Sequence, residues 1–332
     1  MENKIDFVMI WVDGGDIEWR KEKNKYAGLP DDEINGEIRF RDWDNLKYWF
    51  RGIEKFAPWV NNVYFVTCGH YPKWLNLDCP KLKFVKHEDY IPKEYLPTFS
   101  SHTIELNLHR IKGLSEKFVY FNDDMFLIAP ATIDDFYVNE LPKRKVDESV
   151  LPGTDKTMSH IYMENSFIIN KYFKKSTVIK STFTKYFSPK NGLKANIKKM
   201  CLLPFDRFTA FNDPHMPSPF LKSTMEELWE KETELLDKVS KDKFRQIDGV
   251  NQYLFKMWDI CKGNYIPASY KECKYEVLKN DTYMNVAEEI RKQKYKQMCL
   301  NDIDGNNDFE MIKKEINDAF ESILPEKSSF EI

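Results

Sequence analysis

Four short apolar runs in the first 130 positions each end in a polar residue. The runs are rich in β-branched and aromatic residues, and the last of them does not alternate polar with apolar positions, which is typical of a strand buried on both faces of a parallel sheet. Because the carboxyl ends of parallel strands meet at one edge of a sheet, we expect the polar residues to share that edge. The runs span 5–12, 62–67, 82–86 and 118–121, and they end at Asp13, Gly69, His87 and Asn122.

Between these runs, apolar residues recur with helical spacing. Positions 45–57 form one predicted helix with Asp44 as its N-cap, and a second begins at Ser100 or Ser101 and runs to Leu114. This alternation favours βα units and a parallel sheet. The pattern also predicts a strand over 166–169 and helices over 225–239, from 244 onwards and over 307–324.

We therefore predict an α/β fold that is Rossmann-like, with a mostly parallel central sheet and a largely helical C-terminal part. Three parts are expected. Residues 1–170 form the α/β core, residues 171–225 hold a basic insertion and the loop around His215, and residues 226–332 form the helical part.

Composition limits the possible functions more than it limits the possible folds. Of 332 residues, 42% are hydrophobic and 15% aromatic, which supplies ample material for a core. The net charge of -3 argues against a generally basic nucleic-acid binder, so we expect no nucleic-acid partner. The six cysteines match no zinc signature, and free, buried thiols in a reducing compartment are expected. Neither a secretory signal nor an 18-residue apolar stretch is found, which predicts a cytoplasmic protein that is open to peripheral contact with the inner face of a membrane.

The first candidate for chemistry is the run Asn122, Asp123 and Asp124 at the end of the fourth strand. Adjacent carboxylates at a sheet's carboxyl edge suit a divalent cation, and a cation suits a phosphate-bearing substrate. Asp13 and Gly14 follow the first strand in the same way, and the glycine lets a ligand approach the backbone. The alternative at both places is a simple turn of Asx residues.

Arginines and one histidine add to this picture. Arg39, Arg41 and Arg51 surround the start of the first helix, where they would clamp a diphosphate or remain solvated. His215 lies among three prolines, which favour a stiff loop suited to holding a titrating side chain.

Two further stretches have competing interpretations. His102, Glu105 and His109 lie close to one face of the second predicted helix, which suits either a site or a structural role. Residues 171–200 contain nine lysines and neither Asp nor Glu. They form either a solvated basic face or a surface for a phosphate-containing glycan or anionic lipid.

Taken together, these stretches resemble the Stealth family of sugar-1-phosphate transferases, which act on bacterial capsular and cell-surface polysaccharides. The resemblance covers most of the chain, and its second region is long and specific. Its first region resembles 5–14, its second 39–124, its third 213–222 and its fourth the segment around Arg245, and 324–331 resembles the family's C-terminal end.

Membership implies a glycosyltransferase-A-like core that binds a nucleotide sugar. Such enzymes move hexose 1-phosphate from a donor, usually a UDP-sugar such as UDP-GlcNAc, to a hydroxyl of a glycan or lipid-linked oligosaccharide. A phosphodiester forms and UMP leaves. Phosphoryl transfer of this kind needs positioning, charge neutralisation and a proton acceptor.

The resemblance also implies residue roles. His215 is our preferred general base, and Asp124 is the alternative base. Mg²⁺ or Mn²⁺ is the implied cofactor, with Asp123 and Asp124 as its ligands. The catalytic set is Glu105, Asp124, His215 and Arg245, and the substrate-binding set is Asp13, Gly14, Arg39, Arg41, Asn122 and Lys222.

Two other functions remain open at the level of sequence. A metal-dependent glycosyltransferase would use the same acidic edge but release UDP instead of UMP. A non-catalytic glycan- or lipid-binding protein would bind through residues 171–200 and turn nothing over.

Overall fold

A five-stranded sheet lies at the centre of the computed structural model, which describes residues 4–28, 42–151, 157–302 and 308–332. Four of its strands are parallel, and the fifth, at one edge, runs antiparallel to its neighbour. The mostly parallel sheet predicted from the sequence is thus confirmed. In the order β3-β2-β1-β4-β8, these strands are β1 (Ile5–Ile10), β2 (Val63–Thr67), β3 (Leu82–Lys86), β4 (Lys117–Phe121) and β8 (Ser218–Leu221).

Two smaller sheets flank the central one. In the order β10-β11-β5, the first contains β5 (Met125–Leu127), β10 (Cys273–Val277) and β11 (Gln297–Asn301), and β11 is antiparallel to β5. The second contains β6 (Tyr137–Val138), β7 (Leu141–Arg144) and β9 (Ile266–Pro267). All three predicted parts of the chain therefore contribute strands to shared sheets, and the boundaries at 170 and 225 stay predictions.

Helices cover both faces of the central sheet and become frequent after residue 157. The strand β1 shows why both faces are apolar. Phe7 and Met9 pack into one core with α2, α10 and α11, and Val8 packs into a second core with α3, α7, α8 and α9. The helices are α1 (Ile17–Ala27), α2 (Leu46–Phe56), α3 (Ser101–Leu106), α4 (Thr157–Tyr172), α5 (Lys175–Tyr186), α6 (Leu193–Cys201), α7 (Lys222–Lys231), α8 (Thr233–Lys241), α9 (Tyr253–Lys262), α10 (Tyr283–Arg291) and α11 (Phe309–Ile323).

Several predicted elements differ in the structure. The strand predicted over 166–169 lies inside helix α4, because a four-residue apolar run fits a buried helix face as well as a strand. The helix predicted to reach Leu114 ends at Leu106. There, Asn107 Nδ2 donates to the carbonyl oxygen of Thr103 at 2.8 Å and competes with the helix backbone.

The remaining differences concern helix ends. The helix predicted over 225–239 is divided into α7 and α8 at Glu232, whose backbone is not helical and whose carboxylate accepts from Lys171 Nζ. The segment that follows Phe244 forms turns, and α9 begins at Tyr253. Asp44 has a positive φ of 51°, so Asn45 takes the N-cap position of α2 instead. All six cysteines are free, as predicted, but Cys68 and Cys201 are exposed and not buried as expected.

Candidate active site

The carboxyl edge of the central sheet gathers most of the predicted site residues. The parallel strands β1 and β4 bring Asp13 and Asn122 to this edge. Strand β8 runs in the opposite direction, so its amino end lies at the same edge, and the loop before it carries His215. The antiparallel direction of β8 therefore brings His215 close to Asp124.

Asp124 stands at the centre of this group. Its Oδ2 atom lies 3.6 Å from Nε2 of His215 and accepts from the thiol of Cys299 at 3.2 Å. Its Oδ1 atom is buried and has no hydrogen-bond partner among the described residues. The pairing of Met125 in β5 with Cys299 in β11 holds the thiol beside the carboxylate. A buried carboxylate oxygen without a donor is suited to a cation or a substrate proton.

His215 is held in a defined orientation. Its backbone has a φ of 48°, and its N–H donates to Oδ1 of Asp213 at 2.9 Å. Ring atom Nδ1 lies 2.9 Å from the hydroxyl of Tyr253, which leaves Nε2 facing Asp124. Burial lowers the pKa of His215, but the hydrogen bond and charge of Asp124 outweigh burial, and the pKa is raised above its ordinary value.

Glu105 is buried beside this pair. Its Oε1 accepts from the hydroxyl of Tyr120 at 2.9 Å, and the same hydroxyl contacts Oδ1 of Asn122 at 2.5 Å. Burial raises the pKa of Glu105, and the charge of Arg245 partly offsets this effect. Arg245 itself is exposed and donates to Oγ of Ser101 at 2.6 Å. The fold thus brings the four predicted catalytic residues into one neighbourhood.

Asp13 lies further along the same edge. Its backbone N–H donates to Nε2 of His70 at 2.8 Å, and Nδ1 of His70 lies 3.1 Å from Oδ2 of Asp16, so the ring proton belongs on Nδ1. Oδ1 of Asp13 accepts from the N–H of Gly15 at 2.8 Å, which is the Asx turn that the sequence left as an alternative. Gly14 is buried within this turn.

Asp123 reaches solvent but is surrounded by many protein atoms. The surrounding protein shields the Asp123 carboxylate from water, and this desolvation is the main cause that raises its pKa to about 7. The negative charge of Asp124 adds to the effect, and that of Asp42 acts in the same direction. Adjacent carboxylates that resist joint ionisation are stabilised by a bound cation. With the unpartnered Oδ1 of Asp124, this donor set fits Mg²⁺ or Mn²⁺.

Comparison with known proteins identifies the family. The chain matches the family models for Stealth protein conserved region 2 over residues 39–145 and conserved region 4 over residues 288–332. It is 42% identical to a capsular polysaccharide phosphotransferase WcwK of Streptococcus pneumoniae, over 99% of this chain and 98% of the relative.

The chain belongs to the Stealth family.

Two further relatives match over nearly their full lengths. A receptor polysaccharide phosphotransferase WefC of Streptococcus oralis is 40% identical over 99% of this chain and 100% of the relative. An exopolysaccharide phosphotransferase cps2G of Lactiplantibacillus plantarum is 36% identical over 98% of this chain and 96% of the relative. This Stealth protein is accordingly a transferase enzyme.

The family regions map onto the site in part as predicted. Conserved region 2 contains Glu105, Asn122, Asp123 and Asp124. Conserved region 4 begins at 288, so the prediction that it surrounds Arg245 was wrong. It instead contributes β11, and with it the thiol of Cys299 beside Asp124.

Two predicted arginine or lysine contacts, Lys222 and Arg51, do not join the site. Lys222 follows the carboxyl end of β8 and donates its N–H to the carbonyl of Glu116, which places it at the opposite edge of the sheet. Arg51 is buried in a bidentate pair with Glu331, whose Oε1 and Oε2 atoms lie 2.9 Å from its Nε and Nη2, so it has a structural role. Arg39 and Arg41 lie outside the described residues.

Sequence reasoning missed four side chains at this edge. Tyr253 contacts His215, and Lys256 holds the loop by donating to Oδ2 of Asp213 at 2.9 Å. His70 fixes the turn of Asp13, and Cys299 contacts Asp124. The usable signal for His70 was its position just after the second strand, but Tyr253, Lys256 and Cys299 are brought to the edge by tertiary packing alone.

No helix in the described parts of the chain is long and apolar enough to span a bilayer.

Proposed function

We propose that this Stealth protein transfers hexose 1-phosphate from a UDP-sugar, such as UDP-GlcNAc, to a hydroxyl of a glycan or lipid-linked oligosaccharide. The product would be a phosphodiester of a capsular or cell-surface polysaccharide, and UMP would leave. The names of the relatives support phosphotransfer to a polysaccharide. The observation that carries the proposal is the Asp124–His215 pair beside a buried, unpartnered carboxylate oxygen.

The proposed reaction assigns each bond to a group. The acceptor oxygen attacks the phosphorus that bears the hexose, the bond from that phosphorus to the bridging oxygen breaks, and the bridging oxygen leaves on UMP. Nε2 of His215, oriented by Tyr253, takes the acceptor's proton. Arg245 neutralises charge on the transferred phosphate, and Glu105 orients Asn122 through their shared contact with Tyr120.

Asp123 and Asp124 would hold Mg²⁺ or Mn²⁺ in this proposal. The ion would supply charge neutralisation on the diphosphate. Asp13 and Gly14, at the same edge, would line the nucleotide or sugar of the donor, and Arg39 and Arg41 remain predicted phosphate contacts.

The released nucleotide tests the proposal. The protein is incubated with a panel of UDP-sugars, Mg²⁺ and candidate glycan acceptors, and the nucleotide product is identified by chromatography. UMP together with a phosphodiester signal in phosphorus NMR is expected. Release of UDP would instead identify glycosyl transfer, and donor binding without turnover across the panel would identify a binding protein.

Asp124→Asn separates the two roles available to Asp124. Binding of Mn²⁺ is measured by electron paramagnetic resonance alongside turnover. If Asp124 is a metal ligand, its substitution should weaken Mn²⁺ binding, and Asp123→Asn should have the same effect. Retained Mn²⁺ binding with lost turnover would transfer the role of general base from His215 to Asp124.

A further inference from the structure

Helix α6 presents its large apolar side chains to solvent, whereas one of its three lysines, Lys199, faces the protein interior. Leu193, Ile197 and Met200 share one face and are 78%, 51% and 60% exposed. Lys199 is fully buried, donates to the carbonyl of Tyr186 and has its pKa lowered to about 8 by burial. A surface helix normally buries its apolar stripe, so this reversal marks a contact surface.

Neighbouring side chains extend the exposed apolar face. Leu203 and Phe205 follow α6 directly and are 47% and 55% exposed. Phe183 is 59% exposed, and its ring packs 5.3 Å from that of Phe187, whose carbonyl accepts from Asn196 in α6. We name this surface the α6 patch, which consists of Phe183, Leu193, Ile197, Met200, Leu203 and Phe205.

The charge around the α6 patch is mainly positive, with exposed Asp206, directly after Phe205, as an acidic exception. Residues 171–200 include nine lysines and no acidic residue. Some of these lysines serve the interior: Lys175 donates to buried Glu148 at 2.8 Å, and Lys198 pairs with Asp147. The exposed lysines that remain near the patch include Lys174, Lys180, Lys190 and Lys194.

We propose that the α6 patch docks on an anionic lipid bilayer, with its apolar side chains in the headgroup region and its lysines on lipid phosphates. An amphipathic surface helix with a lysine rim has the chemistry of an interfacial membrane contact. A second copy of this chain fits less well, because a symmetric contact would set two lysine-rich surfaces against each other.

Helix α4 connects the patch to the candidate active site. Asn170 in α4 holds the segment after the patch by bonding the backbone N–H and carbonyl of Phe208 at 2.9 and 2.8 Å. Tyr162 in the same helix stacks on Tyr253, which contacts His215. Docking would thus hold the active site near the bilayer, where a lipid-linked acceptor resides; this last step rests on the proposed function, whereas docking does not.

Vesicle flotation of the full chain tests the proposal. The probes are vesicles of phosphatidylcholine alone and vesicles that also contain phosphatidylglycerol. We expect the protein to float with the anionic vesicles and the triple variant L193S/I197S/M200S to lose at least about tenfold in partitioning, because it removes most of the inserted apolar surface. The double variant K190Q/K194Q should weaken binding to anionic vesicles and leave binding to neutral ones unchanged.

The matched control replaces three similarly exposed apolar residues elsewhere, in the variant I247S/M284S/M311S, which should float like the wild type. Equal flotation of the wild type and the α6 variant would overturn the proposal. So would a concentration-dependent dimer that the α6 variant abolishes without any vesicle binding, since the face would then join two copies. Transfer to a water-soluble acceptor should be unchanged in the α6 variant, which separates this test from that of the reaction.

Discussion

At the scale of single residues, Asp124 lies between a nitrogen base and a thiol. His215 Nε2 and Cys299 Sγ both approach its Oδ2 atom, and its Oδ1 atom is left without a partner in the described structure. The arrangement places a nitrogen base beside a carboxylate that has one unpartnered oxygen. A proton acceptor and a group that can bind a cation or substrate are what the proposed phosphoryl transfer needs.

Replacing His215 with Ala tests the assignment of the base. We expect kcat to fall by roughly 10²- to 10⁴-fold, the usual contribution of a general base. The control is Tyr253→Phe, which removes the hydroxyl near Nδ1 but keeps the ring that stacks on Tyr162. It should cost at most about tenfold, the value of one hydrogen bond. Turnover of His215→Ala within about tenfold of the wild type would remove His215 from this role.

The position of Cys299 beside Asp124 and His215 predicts that zinc inhibits the enzyme. The ligand atoms of Asp124, His215 and Cys299 all lie within 4.8 Å of one another, and a tetrahedral zinc ion separates its ligands by about 3.3–3.8 Å. Zinc prefers this sulfur and nitrogen set, whereas magnesium prefers oxygen. We expect Zn²⁺ to inhibit turnover in the presence of Mg²⁺, and Cys299→Ser to raise the inhibitory concentration at least about tenfold.

Isothermal titration with Zn²⁺ provides a readout that does not depend on turnover. Cys68→Ser is the control, since this thiol contacts His70 and does not belong to the ligand group of Asp124, His215 and Cys299. If Cys68→Ser, and not Cys299→Ser, abolishes zinc binding, the site lies at the turn of Asp13 instead.

At the scale of elements, the packing of α2 against β5 fixes the position of Asp124. A Cβ atom on Gly52 in α2 would lie 2.8 Å from the carbonyl oxygen of Leu127, the last residue of β5. Asp124 directly precedes β5, so a shift of this strand moves the carboxylate. The close approach explains why the middle of α2 contains a glycine.

Gly52→Ala is therefore expected to destabilise the protein. Alanine gains about 1 kcal/mol of helix propensity over glycine, but overpacking costs about 1–3 kcal/mol, and a contact of 2.8 Å with backbone favours the larger cost. We expect a net loss of about 1 kcal/mol in the free energy of unfolding, measured in urea, and reduced kcat at temperatures where the variant is folded. The control Gly249→Ala, whose nearest atom would be 3.4 Å away, should change stability by less than about 0.5 kcal/mol. Increased stability of Gly52→Ala would show that α2 and β5 can separate freely.

The sequence predicts the strands of the central sheet better than it predicts which side chains meet at the sheet's carboxyl edge. Short, mainly apolar runs mark β1 to β4, and the polar residues that follow mark the edge where a ligand was predicted. β8 contains Pro219, which suits an edge strand and weakens any strand signal, and its antiparallel direction determines that His215 reaches Asp124 while Lys222 does not. Cys299 reaches the site because β11 pairs with β5 across more than 170 residues, and local patterns carry no record of such a pairing.

At the scale of the whole molecule, buried histidines link stability to pH. His87, His102 and His109 each have a pKa lowered to about 3, in each case mainly by burial. The unfolded chain protonates such a side chain near pH 6.5, whereas the folded chain keeps it neutral. As pH falls from about 6.5 towards 3, the unfolded state binds more protons, so these histidines make the folded state progressively less stable.

His87→Gln isolates one of these contributions. Each histidine changes the free energy of unfolding by at most about 1.4 kcal/mol per pH unit within this window, which amounts to about 2 kcal/mol between pH 7 and pH 5. Urea unfolding at the two pH values should therefore show a smaller loss of stability in His87→Gln than in the wild type, by up to that amount. The contributions of carboxylates are common to both proteins and cancel in the comparison. His160→Gln, which replaces a partly exposed histidine, should retain the wild-type difference between pH 7 and pH 5. An unchanged difference in His87→Gln would mean that His87 is protonated in the folded protein and that its surroundings open to water as the pH falls.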